Sequence, residues 1–219
     1  LMLGGEEDMP RIAHGLEIGA HDYIIRPIDR NEFMARARTQ IRRRRYQARL
    51  RENYETSLSL ALTDSLTGLY NRRYLETHLQ KLMHKNKETK KSLCVLLLDI
   101  DHFKSVNDSH GHTVGDEVLK IFSFRIQDNL RSFDLVARLG GEEFVAVLPD
   151  ASEELSHFVS ERLRRSIAEK PFRVKIPEGQ ITVTTSIGGA LIGFGEELSV
   201  KEVLDRADKA LYEAKNSGR

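Results

Sequence analysis

Val95-Leu96-Leu97-Leu98-Asp99-Ile100-Asp101 is an apolar run that ends abruptly in two carboxylates. Its length and branched, aliphatic character make Ser92–Ile100 a strand buried on both faces, the centre of a sheet. Carboxylates at the end of such a strand stand where a sheet presents ligands. Asp101 reads as the N-cap of a helix beginning at His102. Asp99 has no capping role to explain it.

Working outward, Leu135–Leu139 and Phe144–Leu148 read as strands joined by the four-residue loop Gly140-Gly141-Glu142-Glu143, a hairpin whose glycines tolerate positive φ and close approach. Two adjacent acids at a tight tip repel one another unless a cation neutralises them. If this hairpin lies beside the Asp99 strand, Asp99, Glu142, Glu143 and the Ile100 carbonyl converge. Oxygen donors of that kind suit Mg²⁺ or Mn²⁺, which also bind substrate phosphates. On spacing alone, an ordinary solvated turn stays open as the alternative.

Around these strands, the apolar spacing of Leu75, Leu79, Leu82 and Met83 and of Val114, Val118, Ile121, Phe122 and Ile126 predicts helices. Further helices are expected over Glu153–Ala168 and Val200–Asn216, and strands near Phe172–Ile176 and Ile181–Ile192. The fold class is therefore α/β (α+β), a central mixed, largely antiparallel sheet flanked by helices. Upstream, Asp29 and Glu32 start a long helix running to about Leu62. Before it come a strand remnant at Leu1–Leu3, a helix over Met9–Ile18 and a strand at His21–Arg26 stopped by Pro27. Residues 1–28 fall below the roughly 40 that bury a core unaided, so they are expected to be a piece of another domain. The turn formers of Thr63–Asn71 open a second domain. The expected division is 1–45, a helical linker 46–62, and 63–219.

Composition excludes the unusual classes: 40% hydrophobic and 31% charged residues with 15 Gly and 5 Pro describe neither a disordered nor a collagenous chain. No apolar run approaches the roughly 20 residues of a membrane span. The single cysteine, Cys94, is read as a core hydrophobe and fits a reducing, cytoplasmic setting. Net charge is +1, too small for a global field. Eight arginines (36, 38, 42, 43, 44, 45, 49 and 51) with no acid among them are the one stretch that could argue for a polyanion partner. No base-reading motif accompanies them, so a solvated helix is favoured over a nucleic-acid surface.

Asp99-Ile100-Asp101-His102-Phe103-Lys104, Asn107-Asp108, Gly111-His112, Gly115-Asp116 and Arg138-Leu139-Gly140-Gly141-Glu142-Glu143-Phe144 together resemble the GGDEF family of diguanylate cyclases, here in GGEEF form. Asp64-Ser65-Leu66-Thr67-Gly68-Leu69-Tyr70-Asn71-Arg72-Arg73 and Lys215-Asn216-Ser217-Gly218-Arg219 match the family's two ends. Gly19-Ala20-His21-Asp22-Tyr23 with Arg26-Pro27 is similar to the last part of a response-regulator receiver, which ordinarily has Lys-Pro there. The strand that would bear a phosphoacceptor is not in this sequence, so the expected input is an upstream receiver or kinase in a longer protein.

The resemblance implies a nucleotidyl-cyclase or polymerase-palm-like fold and the joining of two GTP into cyclic di-GMP with release of pyrophosphate by a homodimer. Two Mg²⁺ (or Mn²⁺) ions per site are implied, held by Asp99, the Ile100 carbonyl and Glu142. Glu143 is a further ligand or helps deprotonate the 3′-hydroxyl. The N–H groups of His102, Phe103 and Lys104 would receive phosphates, as would Lys215 and Arg219. Asn107 and Asp116 match the guanine-reading pair. Arg131, Asp134 and Arg162 match an inhibitory site for the product. A catalytically silent cyclic di-GMP or GTP sensor is the alternative; an altered acid in GGEEF would favour it, and none is altered.

Overall fold

The computed structural model describes residues 2–20 and 22–217. The expectations for Leu1, His21, Gly218 and Arg219 lie outside the described residues. The chain divides into two compact units, 1–59 and 60–219.

In the first unit β1 (Met2–Gly4) pairs in parallel with β2 (Tyr23–Ile25), and α1 (Met9–Glu17) connects them. Helix α2 (Arg30–Leu62) starts where Asp29 accepts from the Glu32 N–H at 2.9 Å, the cap read from the sequence. Its residues 41–50 are all exposed, arginines included.

The second unit contains β3 (Tyr70–Asn71), α3 (Arg72–Thr89), β4 (Leu93–Ile100), α4 (Phe103–His110), α5 (His112–Asp128), β5 (Leu135–Gly140) and β6 (Glu143–Pro149). These are followed by α6 (Glu153–Ala168), β7 (Phe172–Arg173), β8 (Gln180–Ile181), β9 (Thr185–Ile192) and α7 (Val200–Asn216). Five strands form one sheet in the order β3-β5-β6-β4-β9; β4 is antiparallel to both neighbours, and only β3 and β5 run parallel. Alternation along β4 sends Leu96, Leu98 and Ile100 to a core shared with Phe103, Val118, Phe122 and Leu163 of α4, α5 and α6. Val95 and Leu97 face the opposite way, onto Leu75 and Leu79 of α3 and Val203 and Ala207 of α7. Helices on both faces are why all eight residues of β4 are buried, Asp99 included.

Three local expectations are corrected. The hairpin loop has two residues, Gly141 and Glu142, because β5 and β6 extend to Gly140 and Glu143 past a register shift after Arg138. Part of the turn-rich opening is strand: Tyr70–Asn71 adds to the sheet edge as β3. The segment expected as one strand over Ile181–Ile192 is split into β8, in a separate pair with β7, and β9. Cys94 is buried, as read, and burial pushes its thiol pKa up.

Candidate active site

Antiparallel pairing places Asp99 directly opposite Glu143 on β6 and opposite Ser186 on β9. Asp99 shares the face of Val95 and Leu97, so it points toward α7, whose Lys215 reaches it with Nζ 2.7 Å from Oδ1. Asp208, two turns earlier on α7, faces the same cluster. Burial, followed by the like charges of Asp99, Asp208 and Glu142, raises the Glu143 carboxyl pKa, with Lys215 acting against them. A cavity of about 310 Å³ opens beside Glu143, Asp208, Tyr212 and Lys215. A larger hollow, about 870 Å³ between α3 and the start of α7, is lined by none of these acids.

The convergence expected of Asp99, Glu142 and Glu143 is met in part. Among the described residues no three acids, histidines or cysteines are gathered closely enough to hold a metal ion. Asp99 and Glu143 are brought together by register. Glu142 lies at the tip, its carbonyl accepting from the Ile100 N–H at 3.4 Å. The donors fit a hard divalent cation in kind, since they are oxygen ligands in a site with surplus negative charge, and Mg²⁺ is commonly held by one or two carboxylates with water completing its shell.

The hairpin tip is fixed by a residue whose role was not read from the sequence. Arg138 donates from Nε and Nη2 to the Gly141 carbonyl at 3.1 and 2.8 Å, and from Nη1 to Asp64 at 3.0 Å. Asp64 also accepts from the Thr67 N–H and hydroxyl. Burial works to raise the Asp64 pKa, but Thr67 and Arg138 outweigh it and hold the carboxyl below its ordinary value. The opening Asp64–Thr67 motif is thus a clamp on the GGEE turn. Asp208 was also missed, although its seven-residue spacing from Lys215 puts both on one helix face.

Asp101 does not cap α4. The N-cap is His102, in a left-handed conformation (φ 56°, ψ 25°) and with no side-chain cap. Asp101 instead accepts hydrogen bonds from the side chains of Thr184 and Ser186. Lys104 is exposed in the first turn of α4. Further along, Asn107 lies against Gly115 on α5: a Cβ at 115 would fall 1.9 Å from Asn107 Oδ1. The residue after that glycine is the exposed Asp116, so the close helix packing sets Asn107 against the backbone next to Asp116.

Beyond α5, Asp134 accepts from the Arg131 N–H at 2.8 Å. Burial raises its carboxyl pKa, opposed by that hydrogen bond and by the charges of Arg131 and Arg162. Arg162, on α6, also donates to the Asn129 carbonyl. The three residues form one cluster.

Residues 61–219 match the family model "Diguanylate cyclase, GGDEF domain". The chain belongs to the GGDEF family. It is 44% identical over 213 residues to response regulator PleD of Caulobacter vibrioides, covering 97% of this chain and 47% of that protein. It is likewise 44% identical over 160 residues to diguanylate cyclase DgcP of Pseudomonas aeruginosa, covering 73% of this chain and 23% of that one. The chain therefore spans less than half the length of these curated relatives. Among solved GGDEF structures, the coiled coil and GGDEF domain of DgcB from Caulobacter crescentus, in complex with c-di-GMP, superimposes with a TM-score of 0.73 at 30% identity, covering 86% of this chain and 95% of that one. The active GGEEF domain of a diguanylate cyclase from Vibrio cholerae gives 0.62 at 32% identity, covering 68% and 92%. Among the described residues no helix is long and apolar enough to cross a membrane.

Proposed function

We propose that this chain carries the catalytic domain of a diguanylate cyclase that condenses two GTP into cyclic di-GMP. The observation that carries the reading is the register pairing of Asp99 with Glu143 at the open end of the sheet, where acid exceeds base. In each half-reaction a 3′-oxygen of one nucleotide bonds to the α-phosphorus of the other, the α–β phosphoanhydride bond breaks, pyrophosphate leaves and the hydroxyl proton is released. Bound Mg²⁺ or Mn²⁺, two per site in this reading, lowers the hydroxyl pKa and neutralises charge on phosphorus and the leaving group.

The chain's own residues do the rest. Asp99, Glu142 and the Ile100 carbonyl hold the cation; Glu143, with its raised carboxyl pKa, is either a further ligand or the group that accepts the hydroxyl proton. The start of α4, His102 to Lys104, directs its first-turn N–H groups to phosphate. Lys215, whose Nζ lies 2.7 Å from Asp99 Oδ1, supplies positive charge for the triphosphate; Arg219 joins it by family resemblance. Asp116 accepts from the adjacent N1–H and N2–H of guanine, with Asn107 alongside. Adenine would leave that acid unpaired, at a cost of about 1–3 kcal/mol.

One domain offers one GTP site and the product needs two facing nucleotides, so the active species is a two-fold dimer. Cyclic di-GMP binds back at Arg131, Asp134 and Arg162 and restrains the enzyme. Residues 1–45 are read as the end of a receiver, 46–62 as a linker and 63–219 as the cyclase, within a cytoplasmic response regulator fed by an upstream receiver or kinase.

The test is to incubate the protein with GTP and Mg²⁺ and separate the nucleotides by chromatography, over a dilution series. Cyclic di-GMP should accumulate, and activity per molecule should fall on dilution. Unchanged GTP at high protein concentration would leave the silent-sensor reading; activity per molecule that stays flat far below the dimer dissociation constant would remove the dimer.

A further inference from the structure

Asp101 is a buried carboxylate, 7% exposed, that the proposed reaction leaves without a task. It is held from two sides: the Thr184 hydroxyl donates to Oδ2 and the Ser186 hydroxyl to Oδ1, each at 2.7 Å. The Asp101 N–H donates to the Thr184 carbonyl at 3.0 Å. Between these contacts the Thr185 hydroxyl donates to the Asp99 carbonyl at 2.8 Å. Three consecutive hydroxyl residues, Thr184 just before β9 and Thr185 and Ser186 within it, thus hold the Asp99 carbonyl on one side of Ile100 and the Asp101 carboxylate on the other. The next residue, His102, takes a positive φ that non-glycine residues keep only where the surroundings impose it. Helix α4 starts immediately after.

We infer that Asp101 is a positioning residue, which with Thr184 and Ser186 locks the corner from Asp99 to His102. The locked corner sets two things at once: the direction of the Asp99 carboxylate and Ile100 carbonyl toward a divalent cation, and the angle at which the first-turn N–H groups of α4 meet phosphate. A carboxylate suits the task because it is acceptor-only and has two oxygens, so both hydroxyls can donate to it together. An amide offers one oxygen, and one hydroxyl would have to turn round. Asp101 itself touches neither cation nor nucleotide. This inference rests on the cyclase reading for its consequence, but the lock can be measured without turnover.

The measurement is Mn²⁺ binding, followed by the paramagnetic resonance signal of free Mn²⁺, with and without an α,β-methylene GTP analogue. Asp101→Asn should weaken binding about tenfold, the range expected when an outer partner of a ligand is lost. Thr184 is exposed, so Thr184→Val removes one hydroxyl with little change in melting temperature; it should weaken binding severalfold, and Thr184→Ser should restore it. In the cyclisation assay the Mg²⁺ concentration for half-maximal rate should rise in Asp101→Asn and Thr184→Val while GTP-over-ATP preference is unchanged. Wild-type Mn²⁺ binding in both variants, or equal loss in Thr184→Ser and Thr184→Val, overturns the inference. A wild-type protein that binds no Mn²⁺ in either titration overturns it together with the metal site. If the Thr184 series behaves as expected but no cyclic di-GMP forms, the lock stands and the cyclase reading alone fails.

Discussion

The sheet end around Asp99 and the turn around Asp134 are built in opposite ways. At the sheet end, among the described residues, Asp99, Asp208 and Glu142 add their charges at Glu143 and Lys215 opposes them. At the turn the balance is reversed, with the charges of Arg131 and Arg162 both acting on Asp134. Burial raises the carboxyl pKa in both places. The neighbouring charges add to that rise for Glu143 and work against it for Asp134. One region is thus short of positive charge and the other short of negative charge, which is what a cation site and a phosphate-accepting site respectively require. They also differ in origin: Arg131 and Asp134 meet in an i to i+3 contact, joined from α6 by Arg162, whereas the sheet end needs strands β4 and β6 and helix α7.

The most direct way to break the comparison is to remove charge at the sheet end. Asp99→Asn and Glu142→Gln keep side-chain size and should each lower cyclisation at least ~100-fold, beyond what the loss of an outer partner costs, with the far-ultraviolet circular dichroism spectrum unchanged. Wild-type turnover in either variant would show that the surplus acid has another purpose.

A smaller effect is expected where packing, not charge, sets the site. Gly115→Ala would place a methyl group 1.9 Å from Asn107 Oδ1, so Asn107 or the helix must move, at about 1–3 kcal/mol of stability. The KM for GTP should rise about tenfold and the preference for GTP over ATP should fall, read from initial rates with each nucleotide. A KM unchanged at reduced stability would mean that Asn107 does not meet the nucleotide.

Glu143→Gln should separate stability from activity. A carboxyl whose folded pKa lies above its unfolded value binds more protons folded than unfolded between the two, so its effect on stability worsens as pH rises through that window. The neutral variant should therefore melt at a higher temperature than wild type at pH 7 while losing turnover. The gap should close as pH falls below about 4.3, the ordinary glutamate value. A lower melting temperature at pH 7 would contradict the surplus of acid on which the sheet-end reading depends.

What the sequence disclosed and what it hid follow the same division between local and distant contacts. The β4 strand was legible because Val95–Leu98 is too apolar to sit anywhere but the middle, and helices α6 and α7 because helix signals are local, as the Ser152 and Ser199 caps found in the structure are. Asp101 was misread because a carboxylate before a helix ordinarily caps it, while its actual partners, Thr184 and Ser186, lie more than 80 residues away. The pairing of Asp99 with Glu143 was a condition and not a reading, since register belongs to two strands together. Asp64 and Arg138, 74 residues apart, were visible as motif letters whose joint task, fixing Gly141, appears only once the hairpin folds back. Glu142 and Glu143 were expected to act as one acidic tip, but a two-residue loop puts Glu143 in the strand, opposite Asp99, and leaves Glu142 in the turn.

The smallest effect on initial rate should come from the turn, and it sharpens the contrast most. Arg131 is exposed, and its main-chain N–H, not its side chain, makes the hydrogen bond to Asp134. Arg131→Ala therefore keeps the turn and should leave initial turnover within about twofold of wild type, as exposed substitutions generally do to stability. Its guanidinium and that of Arg162 can each give paired hydrogen bonds to phosphate oxygens, so losing one removes a charged anchor for the product. Asp134, with its carboxyl pKa raised by burial, is then left facing fewer cations. Progress curves should accordingly stay linear for longer, and added cyclic di-GMP should inhibit at several-fold higher concentration in Arg131→Ala and higher still when Asp134→Ala is added. Because inhibition that restrains a domain shifts a population and leaves catalytic contacts intact, the shift should appear in the inhibition constant and not in the KM for GTP. Undiminished inhibition in the double variant, or a change in KM alone, would place the product in the GTP pocket, and the positive cluster would then be no more than a well-packed turn.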